Sequence, residues 1–238
     1  MIYVGTSGWV YDWNRDGTLE WYVRYSGFNA VEVNMSFYRV PRRRLVERWV
    51  RVGSSLRWSV KVNRVITHFC RLSEKALEHW RRFREVFRPL EDSGLLDFYL
   101  LQLPPSYVPS PEYVRRLVKF VEEVNLGPKL AIEFRCVAWF KGDYVRLLGD
   151  YGVTWVSVDA PDLPRVIYTS NGIVYVRMHG RAMWYTYRYS RDELEEVARN
   201  IASVRPRKVY VFFNNDHDML DNGREMMLIL QSMVKRGT

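Results

Sequence analysis

Residues 174 to 181 read Val-Tyr-Val-Arg-Met-His-Gly-Arg, so apolar Val174, Val176 and Met178 alternate with Tyr175, Arg177 and His179. Period-two alternation is the mark of a β-strand with two different faces, and it puts Arg177 and His179 on the same one. An imidazole beside Arg177 and Arg181 can move a proton where an anion is held. Neighbouring cations lower its pKa, and a carboxylate partner such as Asp159 would raise it. The spacing recurs: Glu32 with Asn34, Lys61 with Asn63, and Glu133 with Arg135 each stand two apart where an apolar run ends.

Three chemistries suit these residue types, with His179, Glu32, Glu133 and Asp159 as the expected catalytic groups. Two of the carboxylates could work as acid and base on a glycosidic bond, with Trp9, Trp13, Phe37, Tyr38, Trp139, Trp184 and Tyr185 available to stack on sugar faces. Alternatively, Glu32, Glu133, Asp159 and His179 offer the oxygen and nitrogen ligands of a divalent metal, although no His-X-His or His-Glu-X-X-His spacing occurs. The third chemistry is anion recognition. Lys61, Arg135, Arg177 and Arg181 bring four cations together, and Thr6 and Ser7 sit in a Gly-Thr-Ser-Gly turn that can cradle phosphate or carboxylate. Asn34, Gln102, Tyr185 and Asn214 complete the expected substrate-binding set. Against all three stands a self-paired ion network that closes off the charges from any ligand, because unpartnered buried charge is costly.

Such residues need a scaffold that brings distant segments together, and the apolar patterning supplies one. Strand-like runs occur at 2 to 5, 30 to 34, 57 to 62, 97 to 103, 130 to 134, 154 to 159, 173 to 179 and 208 to 214. Helix-period stretches lie between them, at 18 to 26, 42 to 52, 73 to 88, 111 to 125, 142 to 151 and 190 to 203, and a last one spans 222 to 236. Ser73, Ser110 and Ser190 are expected N-caps, with Pro111 at a first helical position and Glu193 completing a capping box. Only the crossover at 160 to 172 lacks a helical pattern. Strand–helix alternation implies parallel pairing with right-handed crossovers, and eight units predict one α/β domain over 1–238, a (β/α)8 TIM-type barrel. In that fold the strand C-termini share one face, so the polar run-ends converge on one mouth.

Composition narrows the partners. With 47% hydrophobic and 15% aromatic residues, a disordered chain is excluded. No apolar run approaches the length of a membrane span, no leader pattern opens the chain, and two cysteines do not make a disulfide framework, so a cytoplasmic protein with no membrane partner is expected. The net charge of +9 favours a small anionic or phosphorylated ligand, or nucleic acid. Oligomeric state is not encoded in these patterns.

The segments Gly-Thr-Ser-Gly-Trp at 5 to 9, Val-Glu-Val-Asn-Met-Ser-Phe-Tyr at 31 to 38 and Leu-Gln-Leu-Pro-Pro at 101 to 105 form a recognisable series. It continues with Glu-Phe-Arg at 133 to 135, Arg-Met-His-Gly-Arg at 177 to 181 and Phe-Phe-Asn-Asn-Asp at 212 to 216. Together they resemble the YecE-like family, domain of unknown function 72, across almost the whole chain. The resemblance implies a TIM-type barrel. Cys136 stands where the family motif carries histidine. The expected function is a hydrolase or related lytic enzyme acting on a phosphorylated or nucleic-acid substrate at the C-terminal face. A non-catalytic binder of nucleic acid or phosphometabolite is the alternative, and glycoside hydrolysis the third.

Overall fold

Strand and helix alternate along the chain, whose computed structural model describes residues 1–236. The order is β1 (Ile2–Thr6), α1 (Leu19–Tyr25), β2 (Ala30–Val33), α2 (Met35–Tyr38), α3 (Arg43–Val52), β3 (Arg57–Lys61), α4 (Glu74–Asp92) and β4 (Leu96–Gln102). It continues through α5 (Pro111–Val124), β5 (Leu130–Glu133), α6 (Gly142–Asp150), β6 (Thr154–Asp159), β7 (Ile173–Met178), α7 (Arg191–Ser203), β8 (Lys208–Phe213) and α8 (Met219–Arg236). All eight strands pair in parallel in sequence order and the sheet closes through β1 on β8, with Ile2 opposite Val209 and Thr6 opposite Phe213. The fold is therefore an α/β TIM-type barrel, and β6 runs to β7 with no helix between them.

Strand parity sorts each residue to one of two apolar layers. Outward positions such as Val4, Val31, Val33, Trp155, Val174 and Val176 pack against the helices. Inward positions fill the barrel with Ala30, Phe98, Leu100, Ala131, Val156, Tyr175, Tyr210 and Phe212. Gly5 faces this interior at a close approach: a Cβ there would lie 2.1 Å from the Ala30 carbonyl oxygen, so only glycine lets β1 and β2 meet. Towards the strand C-termini the same inward parity leads to Glu32, Lys61, Gln102, Glu133, Arg177 and Asn214. The interior thus changes from aromatic and aliphatic to ionisable along its own axis.

The helix starts divide by chemistry. Ser110 and Ser190 each accept a backbone hydrogen bond, and Ser190 with Glu193 forms the full capping box. Ser73 sits at the N-cap of α4 in extended backbone but its hydroxyl makes no capping bond, which corrects the expectation from its residue type. Pro89 does not end α4, which runs on to Asp92 and is longer than the proline suggests. Two local elements escape the periodicity: the short helix α2 and a π-helical turn at Val65–Phe69, followed by Arg71 and Leu72 in left-handed backbone (φ 47° and 54°). Both follow strands that end on mouth residues.

Candidate active site

Arg177 organises the mouth. Its Nη2 donates to Glu32 Oε1 at 2.6 Å and its Nη1 to Glu133 Oε2 at 2.5 Å, and all three side chains are fully buried. The Tyr175 hydroxyl, one inward step below on β7, donates to Glu32 Oε2 at 2.5 Å and meets Ser59 Oγ at 2.8 Å. Above, Arg135 Nε donates to Glu133 Oε1 and its Nη2 lies 3.1 Å from His179 Nε2. One guanidinium thus spans carboxylates from strands on opposite sides of the barrel, and a second covers the nearer of them. Burial pushes the Glu133 carboxyl up, but Arg135 and Arg177 outweigh it and hold Glu133 well below the usual carboxylate range.

His179 is fully buried, and burial together with Arg135 and Arg177 holds its pKa well below the ordinary histidine range. The imidazole is therefore neutral, with Nε2 3.1 Å from Arg135 Nη2 and 3.7 Å from Glu133 Oε1. Nδ1 lies 3.2 Å from Asn214 Nδ2, and Asn214 Oδ1 accepts from the Ser7 hydroxyl at 2.6 Å. The same hydroxyl lies 3.1 Å from the Phe213 carbonyl oxygen. Held neutral, the imidazole carries a single ring proton. Its outer side is closed by Trp184 and Tyr185, whose rings lie 5.4 and 5.6 Å from it, and Trp184 also covers the Arg135 guanidinium at 4.4 Å. Gly180, at φ +107°, makes the turn into this cover; a Cβ would meet the Met183 carbonyl oxygen at 2.3 Å.

Lys61 differs from every other cation of the mouth. It ends β3 pointing inward at 9% exposure, yet among the described residues nothing forms an ion pair or hydrogen bond with its Nζ. The nearest group described for it is the Phe37 ring, 4.2 Å away. Burial, then the positive field of Arg177, lowers its pKa to about 7 against the pull of Glu133 and Glu32. A neutral or readily deprotonated amine in a polar mouth is the chemistry of a base or nucleophile rather than of a fixed charge.

Three expected residues face away from this centre. Asp159 lies on the outward parity of β6, where it pairs with Arg181 at 3.1 Å and accepts from the Tyr189 hydroxyl at 3.0 Å. Arg181 also reaches Glu196, on α7, at 2.9 Å, so both are anchors of the loop at 179 to 190. Thr6 is likewise outward, its hydroxyl turned to the Gly8 carbonyl and the Tyr22 hydroxyl. Position at a strand end does not distinguish these residues, and parity is the signal that separates Asp159 and Thr6 from Glu32 and Glu133. Gln102 is inward and donates to the Leu103 carbonyl. Asn34 begins α2 with its buried Oδ1 unpartnered. It lines a slot of about 260 Å³ with Ser7, Trp9, Tyr11, Met35 and Tyr38.

Neither the paired-carboxylate nor the metal arrangement is assembled. Glu32 and Glu133 are both bridged by Arg177, and among the described residues no three His, Cys, Asp or Glu side chains gather as a ligand set, Cys70 and Cys136 included. Trp139 is buried in the apolar core and offers no stacking face, whereas Trp9 packs in that core with one edge on the Asn34 slot. Tyr175 is not marked by residue type, though it shares the alternation that marks Arg177.

The rim is asymmetric. Segments 34 to 42, 62 to 73, 134 to 141 and 179 to 190 carry eight Arg and Lys residues and no Asp or Glu, whereas 7 to 18 and 214 to 218 hold Asp12, Asp16, Asp216 and Asp218 against Arg15. On the basic side Arg64 lies 5.6 Å from the Tyr38 ring and 5.5 Å from that of Phe69, residues that are 69% and 67% exposed.

A closed (β/α)8 barrel with a buried arginine–glutamate array at its C-terminal mouth defines the class as a TIM-barrel protein with a polar mouth. The chain belongs to the family described as protein of unknown function DUF72, which matches residues 3–236. It is 26% identical to the UPF0759 protein YunF of Bacillus subtilis (strain 168), over 97% of this chain and 95% of that one. Crystal structures of DUF72 family proteins from Thermotoga maritima MSB8 and Enterococcus faecalis V583 are similar throughout. The first is 27% identical with a TM-score of 0.82, covering 99% of both chains; the second is 24% identical with a TM-score of 0.86, covering 97% of this chain and 96% of that one.

Proposed function

We propose that the protein is a lytic enzyme, a hydrolase or lyase, acting on a phosphorylated ligand, with a nucleic-acid strand as the form its rim fits best. The carrying observation is the division of cations in the mouth. Arg177 is sealed between Glu32 and Glu133 and Arg181 is taken by Asp159 and Glu196, so Lys61 and the outer edge of Arg135 are left to meet an anion. Glu32 and Glu133 act by fixing Arg177 and Arg135, His179 accepts a hydrogen bond from Arg135, and Lys61 is the group that moves a proton or attacks. The basic rim, with Arg64 between Tyr38 and Phe69, matches the alternation of charge and stacking surface that holds single strands.

The test is titration of inorganic phosphate and of a short single-stranded oligonucleotide, followed by tryptophan fluorescence at about 50 and about 200 mM salt. Saturable binding that weakens with salt, and strand or phosphate-ester cleavage lost in Lys61→Met, is expected. Failure of both ligands to bind would overturn the reading.

Binding without turnover is the second reading. It is favoured by the completeness of the Tyr175–Glu32–Arg177–Glu133 array, which has no free carboxylate to offer. Strand binding that survives Lys61→Met, with no cleavage by the native protein, would select it.

A further inference from the structure

We propose that Lys61 forms an imine with the carbonyl group of a phosphorylated aldehyde or ketone, making the mouth a carbonyl-condensing site. This rests on the phosphate reading above and adds the functional group on which the enzyme acts.

The position of the amine carries the argument. It ends β3 on the inward parity of the closed barrel, so its stem points into the mouth and not onto the helix layer. A lysine that merely balanced charge would sit on Glu32 or Glu133, yet both carboxylates are turned onto guanidinium groups and Nζ is left without a partner. The Phe37 ring at 4.2 Å withholds hydrogen bonds and water from one side of it. The nearby positive charge of Arg135 and Arg177 and the burial of the site both favour the unprotonated amine, which is the nucleophilic form. Arg135 brings a fixed positive charge to the same mouth for the oxygen that becomes negative on attack.

The step balances without any further reactant. The Nζ lone pair forms a C–N bond to the carbonyl carbon while the π pair moves to oxygen, which takes up the proton lost from nitrogen and gives a carbinolamine. The C–O bond then breaks, the hydroxyl leaves as water with a second proton from nitrogen, and a C=N bond is left. The net change is amine plus carbonyl compound to imine plus water.

The experiment is reductive trapping on the intact protein at neutral pH. Glycolaldehyde phosphate and, separately, glycolaldehyde are supplied with cyanoborohydride, and adducts are located by peptide mass mapping. The chain has seven lysines. The expected result is one adduct per chain on the peptide carrying Lys61, formed at least roughly tenfold faster than on the other lysines. It is absent from Lys61→Arg, whose folding is verified by circular dichroism, and is suppressed by inorganic phosphate. Label spread evenly over the lysines, or retained in Lys61→Arg, would overturn the imine. If phosphate shifts the melting temperature but no adduct is trapped, the imine falls and the phosphate reading stands. Should both aldehydes trap Lys61 at equal rates, unaffected by phosphate, the imine stands and the phosphate reading falls.

Discussion

An unfolded lysine keeps its proton up to its ordinary value of 10.5, whereas the folded Lys61 releases it near 7. Between those values the unfolded chain binds one more proton, so this residue makes stability rise with pH. Its cost is full below about pH 7 and gone above the unfolded value. Lys61→Met keeps the apolar stem and removes the charge, and is expected to stabilise the fold by about 5 kcal/mol at pH 6. The gain should vanish near pH 10.5, as denaturant unfolding at the two pH values will show. Arg177→Met is the opposite case. It strands two buried carboxylates and is expected to cost about 3–5 kcal/mol, measured in the same way. Tyr175→Phe removes one donor from Glu32 and should cost roughly 1–3 kcal/mol.

At the scale of elements, two serines that look alike in the sequence have different consequences. Ser190→Ala breaks a capping box in which hydroxyl and Glu193 carboxylate each satisfy a backbone N–H, and about 1 kcal/mol of stability should go with it. Ser73→Ala removes no capping bond and should be neutral within the error of thermal unfolding. The strands themselves are legible in the sequence because β-branched and aromatic runs are bounded by turn residues, and all eight fall within a residue or two of their predicted limits. The helix α2 and the π-helical turn after β3 are not, since four or five residues carry too little periodicity to stand out. The site is half legible. Alternation marks Glu32, Lys61, Glu133, Arg177 and His179 as one inward set, but not which charges cancel. Arg177 meets Glu32 across 145 positions of chain, and that pairing exists only once the sheet closes. Asp159 shows the cost of reading a strand end without its parity: one residue's difference moves it from the mouth to the α7 side.

The whole molecule carries its +9 unevenly, with the basic rim facing one side of the mouth and the aspartates the other. Strand binding is therefore expected to follow the basic side alone. Arg64→Ala should flatten the logarithmic salt dependence by about 0.7 for each phosphate that the guanidinium neutralises. A charge change on the opposite rim, such as Asp12→Asn, should leave that slope unchanged. Fluorescence titration over a salt series distinguishes the two. No helix among the described residues is long and apolar enough to cross a membrane.

Because one guanidinium clasps a carboxylate from the second strand and another from the fifth, no contiguous half of this barrel can be electrically complete. A chain emerging from the ribosome holds Glu32 and Glu133 for more than forty residues before Arg177 exists to receive them. The dry interior is thus completed by the seventh strand, whose Arg177 reaches both acids at once.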